Sequence, residues 1–176
     1  MDVSKVEVIK KWPPPHSMKD IQLFLGFANF YQRFIKGYSG IVLPLTQTTQ
    51  KNVLWEWLEA CQQAFRTLKS AFTSTPILCH WSLDHIPLVE TDVSDYAIAT
   101  VFSMSDPSNG IPHPVVFHSQ TLTGPELNYD IHDKELLAIY KAFCIWRHYL
   151  EGPSHTINIV TDHKNLEYFS TTKVLT

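Results

Sequence analysis

Apolar positions recur at helical spacing in the first seventy-five residues and at strand spacing after them. In "PPPHSMKDIQLFLGFANFYQRFI" a proline stop is followed by Ser17 as N-cap, with Asp20 three residues on, and Ile21, Phe24, Leu25, Ala28, Tyr31 and Ile35 form one stripe. That predicts a helix ended by Gly37 and Gly40. A second stripe, Cys61, Phe65, Leu68 and Phe72, predicts another helix that stops before Pro76, and the polar "PLTQTTQKN" between the two reads as a connector. Beyond Pro76, "PLVETDVSDYAIATVFSM", a "DPSNGIP" turn and "HPVVFHSQTL" predict a β-meander. A long helical pattern over 131–150 follows, then the short strand "TINIV", and "HKNLEYFSTTKVLT" begins a further helix. The order β, β, β, α, β, α predicts a mixed sheet with helical cover, an α/β domain whose end is expected to be missing.

Composition narrows this little. With 176 residues, 44% of them hydrophobic and 12% aromatic, the chain can bury a real core in one domain or two small ones. No apolar run reaches membrane-spanning length, and "MDVSKVEVIKKW" lacks the apolar centre of a secretory signal, so an intracellular, cytoplasmic or nuclear location is expected. Cys61, Cys79 and Cys144 lie far apart without metal-ligand spacing and read as buried free thiols. The net charge of −3 hides an asymmetry: residues 1–51 hold seven Lys/Arg against three Asp/Glu, and the remainder holds seven against fourteen. A basic first part beside an acidic second part suits a phosphate-binding surface next to a cation-binding one, or uneven surface charge with no function.

Three acids stand where a structural role is hard to supply. Asp92 interrupts the first strand, Asp162 ends the fourth, and Glu135 lies on the helical stripe of Ile131, Ala138, Ile139, Ala142 and Trp146 that should face the sheet. A buried carboxylate is costly unless it is paired or binds a cation, whereas Glu126, Glu151 and Glu167 are assigned to solvent. Converging carboxylates with no His or Cys framework are oxygen-only ligands, suited to Mg²⁺ or Mn²⁺ and to phosphoryl transfer. Strand-end caps are the alternative. His132 and His163 read as hydrogen-bonding or solvated residues beside these acids.

At these residues the chain resembles a known family. "VETDVSDYAIATVFS", "PHPVVFHSQTLTGPELNYDIHDKELLAIYKAFCIWRHYLEG" and "IVTDHKNLEYF" resemble the ribonuclease H domain of Gypsy-type LTR retrotransposon polyproteins, and "WPPPHSMKDIQLFLGFANFYQRFI" resembles the reverse transcriptase thumb that precedes it. The resemblance implies an RNase H-like α/β fold, with residues 1–50 a thumb remnant, 51–75 a connecting helix and 76–176 the RNase H-like domain. It implies that Asp92, Glu135 and Asp162 are catalytic, metal-binding carboxylates, with Asp92 bridging two Mg²⁺ or Mn²⁺ ions in hydrolysis of the RNA strand of RNA–DNA hybrids. The family's fourth acid, an Asp beyond the second helix, has no counterpart after Asp162, so the two-metal site is expected to be incomplete and the chain weak or inactive. Ala99 and Met104 stand where the family usually has Gly and Gln.

No adjacent Asp pair occurs, so the polymerase acids are absent, and Met1 is read as an internal methionine of a shortened frame. Gln22, Gly26 and Phe30 recur every four residues on one face of the first helix. By the resemblance to retroviral thumbs this face lies along the minor groove of a template-primer duplex; the alternative has Gly26 in helix packing and Phe30 in the core. The expected partners are hybrid or template-primer duplex and the rest of the polyprotein, with no membrane and no small-molecule cofactor. A non-catalytic, retroelement-derived module that binds protein or nucleic acid is the alternative function.

Overall fold

The computed structural model describes residues 3–51, 53–74 and 78–162. Four helices come first: α1 (Val3–Lys10), α2 (Met18–Phe30), α3 (Tyr38–Gln47) and α4 (Glu59–Thr73), with a 3-10 turn at Gln32–Phe34 between α2 and α3. Ser17 caps α2 as its position suggests, its Oγ accepting from the Asp20 amide at 3.3 Å. The Asp20 carboxylate reaches back to the His16 amide at 3.0 Å. Ile21, Phe24, Leu25 and Ala28 of α2 then enter one core with Ile9 of α1, Tyr38, Val42 and Leu45 of α3, and Cys61, Phe65, Leu68 and Phe72 of α4. The Phe24 and Phe65 rings meet at 4.7 Å. So α4 shares its core with the three helices before it.

Two local expectations change. The first helix stops at Phe30, five residues short of Ile35, which is buried in extended backbone after the 3-10 turn. Gly37 then adopts φ +65°, a left-handed turn that costs glycine little, and redirects the chain into α3. That helix runs through Pro44, so the first residues of the presumed connector are helical. Proline removes one backbone bond, but Tyr38, Val42 and Leu45 recur at i, i+4 and i+7 and their burial holds the helix together.

The second half is a four-stranded mixed sheet of order β3-β2-β1-β4, built from β1 (Ile86–Val93), β2 (Ala97–Ser105), β3 (Pro112–Thr121) and β4 (Asn158–Val160). The first three form the expected antiparallel meander, closed at its second turn by Gly110 at φ +66°, and β4 runs parallel to β1. Helix α5 (Ile131–Ile145) covers one face and breaks at Trp146 before the single turn α6 (Arg147–Leu150). Val89, Phe102, Ala142, Trp146 and Leu150 fill the space between, and the Phe102 and Tyr149 rings stack at 5.5 Å. Ile131, expected on the covered stripe, is exposed because it opens the helix before the sheet is reached. The further helix after Asp162, with Glu167, lies outside the described residues.

The helical unit rests on the other face of the sheet, where α3 and the 3-10 turn meet β3 and β2. Ser39 near the start of α3 donates its amide to Ser119 Oγ of β3 at 2.8 Å, and the two hydroxyls lie 3.1 Å apart. Because Gly37 has no side chain to cap α3, the hydroxyl of Ser119 satisfies one of the orphan amides of the first turn. Of the three thiols, Cys61 is buried, Cys79 half-buried and Cys144 exposed on α5, which corrects the expectation that all are core residues. Glu126 is not a solvated acid either: it completes a capping box with Thr123 and meets Lys141 at 3.6 Å.

Candidate active site

Strand alternation separates the polar residues of β1 onto two faces. Val89 and Thr91 are buried toward α5, while Glu90 and Asp92 point to the opposite face, where Asp92 is exposed. The parallel pairing Leu88↔Asn158, Val89↔Ile159 and Glu90↔Val160 brings the residues just past β4, Thr161 and Asp162, alongside the end of β1. Asp92 and Asp162 accordingly line one cleft of about 290 Å³, together with Glu90 and with Lys36 from the loop between the 3-10 turn and α3. Three carboxylates and one ammonium share that space. Ala99, directly across from Asp92 in the register, and Ser119 beyond it continue the same row toward Ser39, with Gly37 and Gly40 above.

Glu135 reaches the row from behind. It sits in the second turn of α5, 3% exposed, and its Oε2 accepts from Thr161 Oγ1 at 2.8 Å and from Thr91 Oγ1 at 3.5 Å. Burial pushes its carboxyl above the usual range, the Thr161 hydroxyl pulls the other way, and the nearby charges of Asp162 and then Asp92 add to the rise. The three acids are not gathered alike: the aspartates share the open cleft, and Glu135 stands behind the two threonines. Among the described residues no three His, Cys, Asp or Glu side chains already stand close enough to share one metal ion. His132 is exposed in the first turn of α5, and His163 lies outside the described residues.

The first-helix face is open. Gln22, Gly26 and Phe30 are all exposed, Phe30 at 75%, with Leu23 beside them, and a Cβ added at Gly26 would meet nothing within 4 Å. This overturns the alternative in which Gly26 serves helix packing and Phe30 the core. An exposed mid-helix glycine costs about 1 kcal/mol relative to alanine, so that gap is not explained by packing.

Residues 57–159 match the family model described as "RNase H-like domain found in reverse transcriptase". The chain is 35% identical over 161 residues to the Transposon Tf2-3 and Tf2-4 polyproteins of Schizosaccharomyces pombe, across 92% of its own length. The chain belongs to the RNase H-like domain family of reverse transcriptases. It spans 12% of the length of those polyproteins. Its fold is also similar to a foamy viral protease-reverse transcriptase in complex with an RNA/DNA hybrid, at TM-score 0.74 and 20% identity over 100% of this chain and 24% of that one. A "dRH" form of the foamy viral protein in complex with double-stranded DNA superposes at TM-score 0.76 and 19% identity over 99% of this chain and 31% of that one. As a reverse-transcriptase RNase H-like chain it has nuclease family membership, and among its described residues no helix is long and apolar enough to cross a membrane.

Sequence reasoning missed Thr91, Thr161 and Lys36. The threonines carried a signal, the dipeptide Thr-Asp repeated at 91–92 and 161–162. Lys36 carried none, because its place beside the acids depends on how the helical unit packs against the sheet.

Proposed function

We propose that this chain is the thumb and ribonuclease H region of a retrotransposon reverse transcriptase, and that Asp92, Glu135 and Asp162 are its catalytic carboxylates for hydrolysing the RNA strand of RNA–DNA hybrids. The observation that carries this reading is the meeting of Asp92, near the end of β1, and Asp162, just past β4, in one cleft, with Glu135 buried behind them. We read residues 1–50 as the thumb segment, 51–75 as its connecting helix and 76–176 as the RNase H-like domain.

The RNase H-like family generally uses divalent metals. The donor chemistry fits Mg²⁺ or Mn²⁺: the candidate ligands are carboxylate oxygens, and among the described residues no imidazole or thiolate lines the cleft. Gathering all three onto one ion requires side-chain movement from the arrangement described here. When bound, a divalent ion supplies an activated water and charge stabilisation at the phosphodiester. The chain's own part is to present Asp92 near the end of β1 and Asp162 just past β4, and to hold Glu135 out of bulk water. Lys36 places one ammonium beside the acids, on the side from which a phosphate would approach. The exposed Gln22, Gly26 and Phe30 face would lie along the hybrid or template-primer duplex, and selectivity would come from duplex shape and 2′-hydroxyl contacts.

The second reading, a non-catalytic module derived from such an element, is favoured by the absence among the described residues of three acids already close enough to share an ion. A labelled RNA–DNA hybrid with Mn²⁺ or Mg²⁺ separates the two. Cleavage of the RNA strand that disappears in Asp92→Asn supports the enzyme. An inert chain that binds the hybrid with micromolar affinity or better supports the binding module.

A further inference from the structure

The same dipeptide approaches Glu135 twice. Thr91-Asp92 lies near the end of β1, and Thr161-Asp162 follows β4, whose last paired residue, Val160, stands opposite Glu90. Both threonine hydroxyls donate to the same oxygen, Glu135 Oε2, at 2.8 Å from Thr161 and 3.5 Å from Thr91. Thr91 also lies 3.5 Å from the Val160 carbonyl, so its hydroxyl is shared and Thr161 makes the stronger bond. Among the described residues Oε1 of Glu135 accepts no hydrogen bond, and it is not one of their sealed, partnerless side-chain atoms, which belong to His85, Thr100 and His118.

We propose that Thr161, assisted by Thr91, is a positioning residue that ties Glu135 Oε2 to the strand ends and leaves Oε1 as the oxygen for a divalent cation shared with Asp92 and Asp162. This rests on the metal-dependent reading above. The physical need is plain. A glutamate side chain has three rotatable bonds, and α5 alone does not fix the plane of its carboxylate. A threonine on a strand is stiff at its first torsion, so two such hydroxyls on one oxygen hold that plane and the rotamer together. Donors of this kind behind a ligating carboxylate set its direction, and their loss typically weakens metal binding about 10–100-fold. The repeated dipeptide thereby does two jobs at each strand end: the aspartate faces the open cleft, and the threonine on the other face orients the third acid.

The test uses the whole chain and Mn²⁺ alone, with binding followed by electron paramagnetic resonance of the free ion at pH 7.5. Thr161→Val keeps the shape and removes the hydroxyl, and should weaken Mn²⁺ binding about tenfold. Thr161→Ser restores the hydroxyl and should bind within about twofold of the unmodified chain; a role in packing alone predicts no such rescue. Circular dichroism checks that each variant is folded, and if Thr161→Val is not, Thr161→Ala is read against Thr161→Ser in the same way. Loss of binding in Asp92→Asn with unchanged binding in Thr161→Val overturns the positioning role while the acid site stands. Binding by the unmodified chain no tighter than by Asp92→Asn overturns the metal reading and this proposal with it.

Discussion

Replacing Glu135 with glutamine isolates the cost of keeping a carboxylate behind the sheet. The side chain is 3% exposed, and its ionised form is compensated by one good hydroxyl bond at 2.8 Å and one marginal contact at 3.5 Å. A hydrogen bond to a charged group contributes about 1.5–3 kcal/mol, whereas burying a carboxylate costs several. The carboxyl is held above its usual range, so burial outweighs the threonines, and the charges of Asp162 and Asp92 act in the same direction. A carboxyl whose folded value is raised favours folding when protonated. That contribution is fully present below the unfolded value and is lost as pH rises through the folded one. Glu135→Gln keeps an amide oxygen for Thr161 and removes the charge. In EDTA at pH 7.5 it should therefore be more stable than the unmodified chain by about 1 kcal/mol, a rise of about 2–4 °C in Tm for a chain of this size. The gap should close as pH falls and Glu135 takes up its proton. Mn²⁺ at tenfold its Kd should stabilise the unmodified chain by about 1.4 kcal/mol and the glutamine variant by less, reversing the order. Thermal melts across pH 5–8, with and without Mn²⁺, read all of this. A glutamine variant less stable in EDTA at pH 7.5, or a gap that does not vary with pH, would refute the account of Glu135 as a buried carboxylate with insufficient compensation.

Phe30→Ala should leave Tm within about 1 °C, since the ring is 75% exposed and most surface substitutions cost under about 0.5 kcal/mol. In fluorescence anisotropy with a labelled hybrid it should weaken binding about tenfold, as loss of an aromatic anchor does; unchanged binding would remove the α2 face from the duplex surface. Ser119→Ala strips the hydroxyl that receives the Ser39 amide and should cost about 1–2 kcal/mol in urea unfolding, the price of a lost helix cap in a buried setting.

The helical stripes, the meander and the α/β class were legible in the sequence, because period and turn residues are local properties of the chain, as was the acid on a covered stripe at Glu135, whereas Asp92 and Asp162 are exposed. Ile21, Phe24, Leu25 and Ala28 are core residues for the reason their spacing suggests, and Ser17 caps α2 as its place before Asp20 implies. Local signals failed where packing overruled them. Pro44 and Gly40 read as breakers, but burial of Tyr38, Val42 and Leu45 sustains α3, and Ile35 reaches the core in extended backbone, where the spacing predicts a continuing helical stripe. The site divides in the same way. That Asp92, Glu135 and Asp162 are unusual followed from sequence; that the aspartates share an open cleft with Lys36 while Glu135 is held from behind by Thr91 and Thr161 did not. Strand order and register decide which side chains are neighbours, and both are set by pairings between segments dozens of residues apart. A lysine from the helical unit beside acids of the sheet depends on one more such choice, the docking of α3 on β3 through Ser39 and Ser119. Those contacts are fixed only when the whole core assembles, and no local pattern in the chain encodes them.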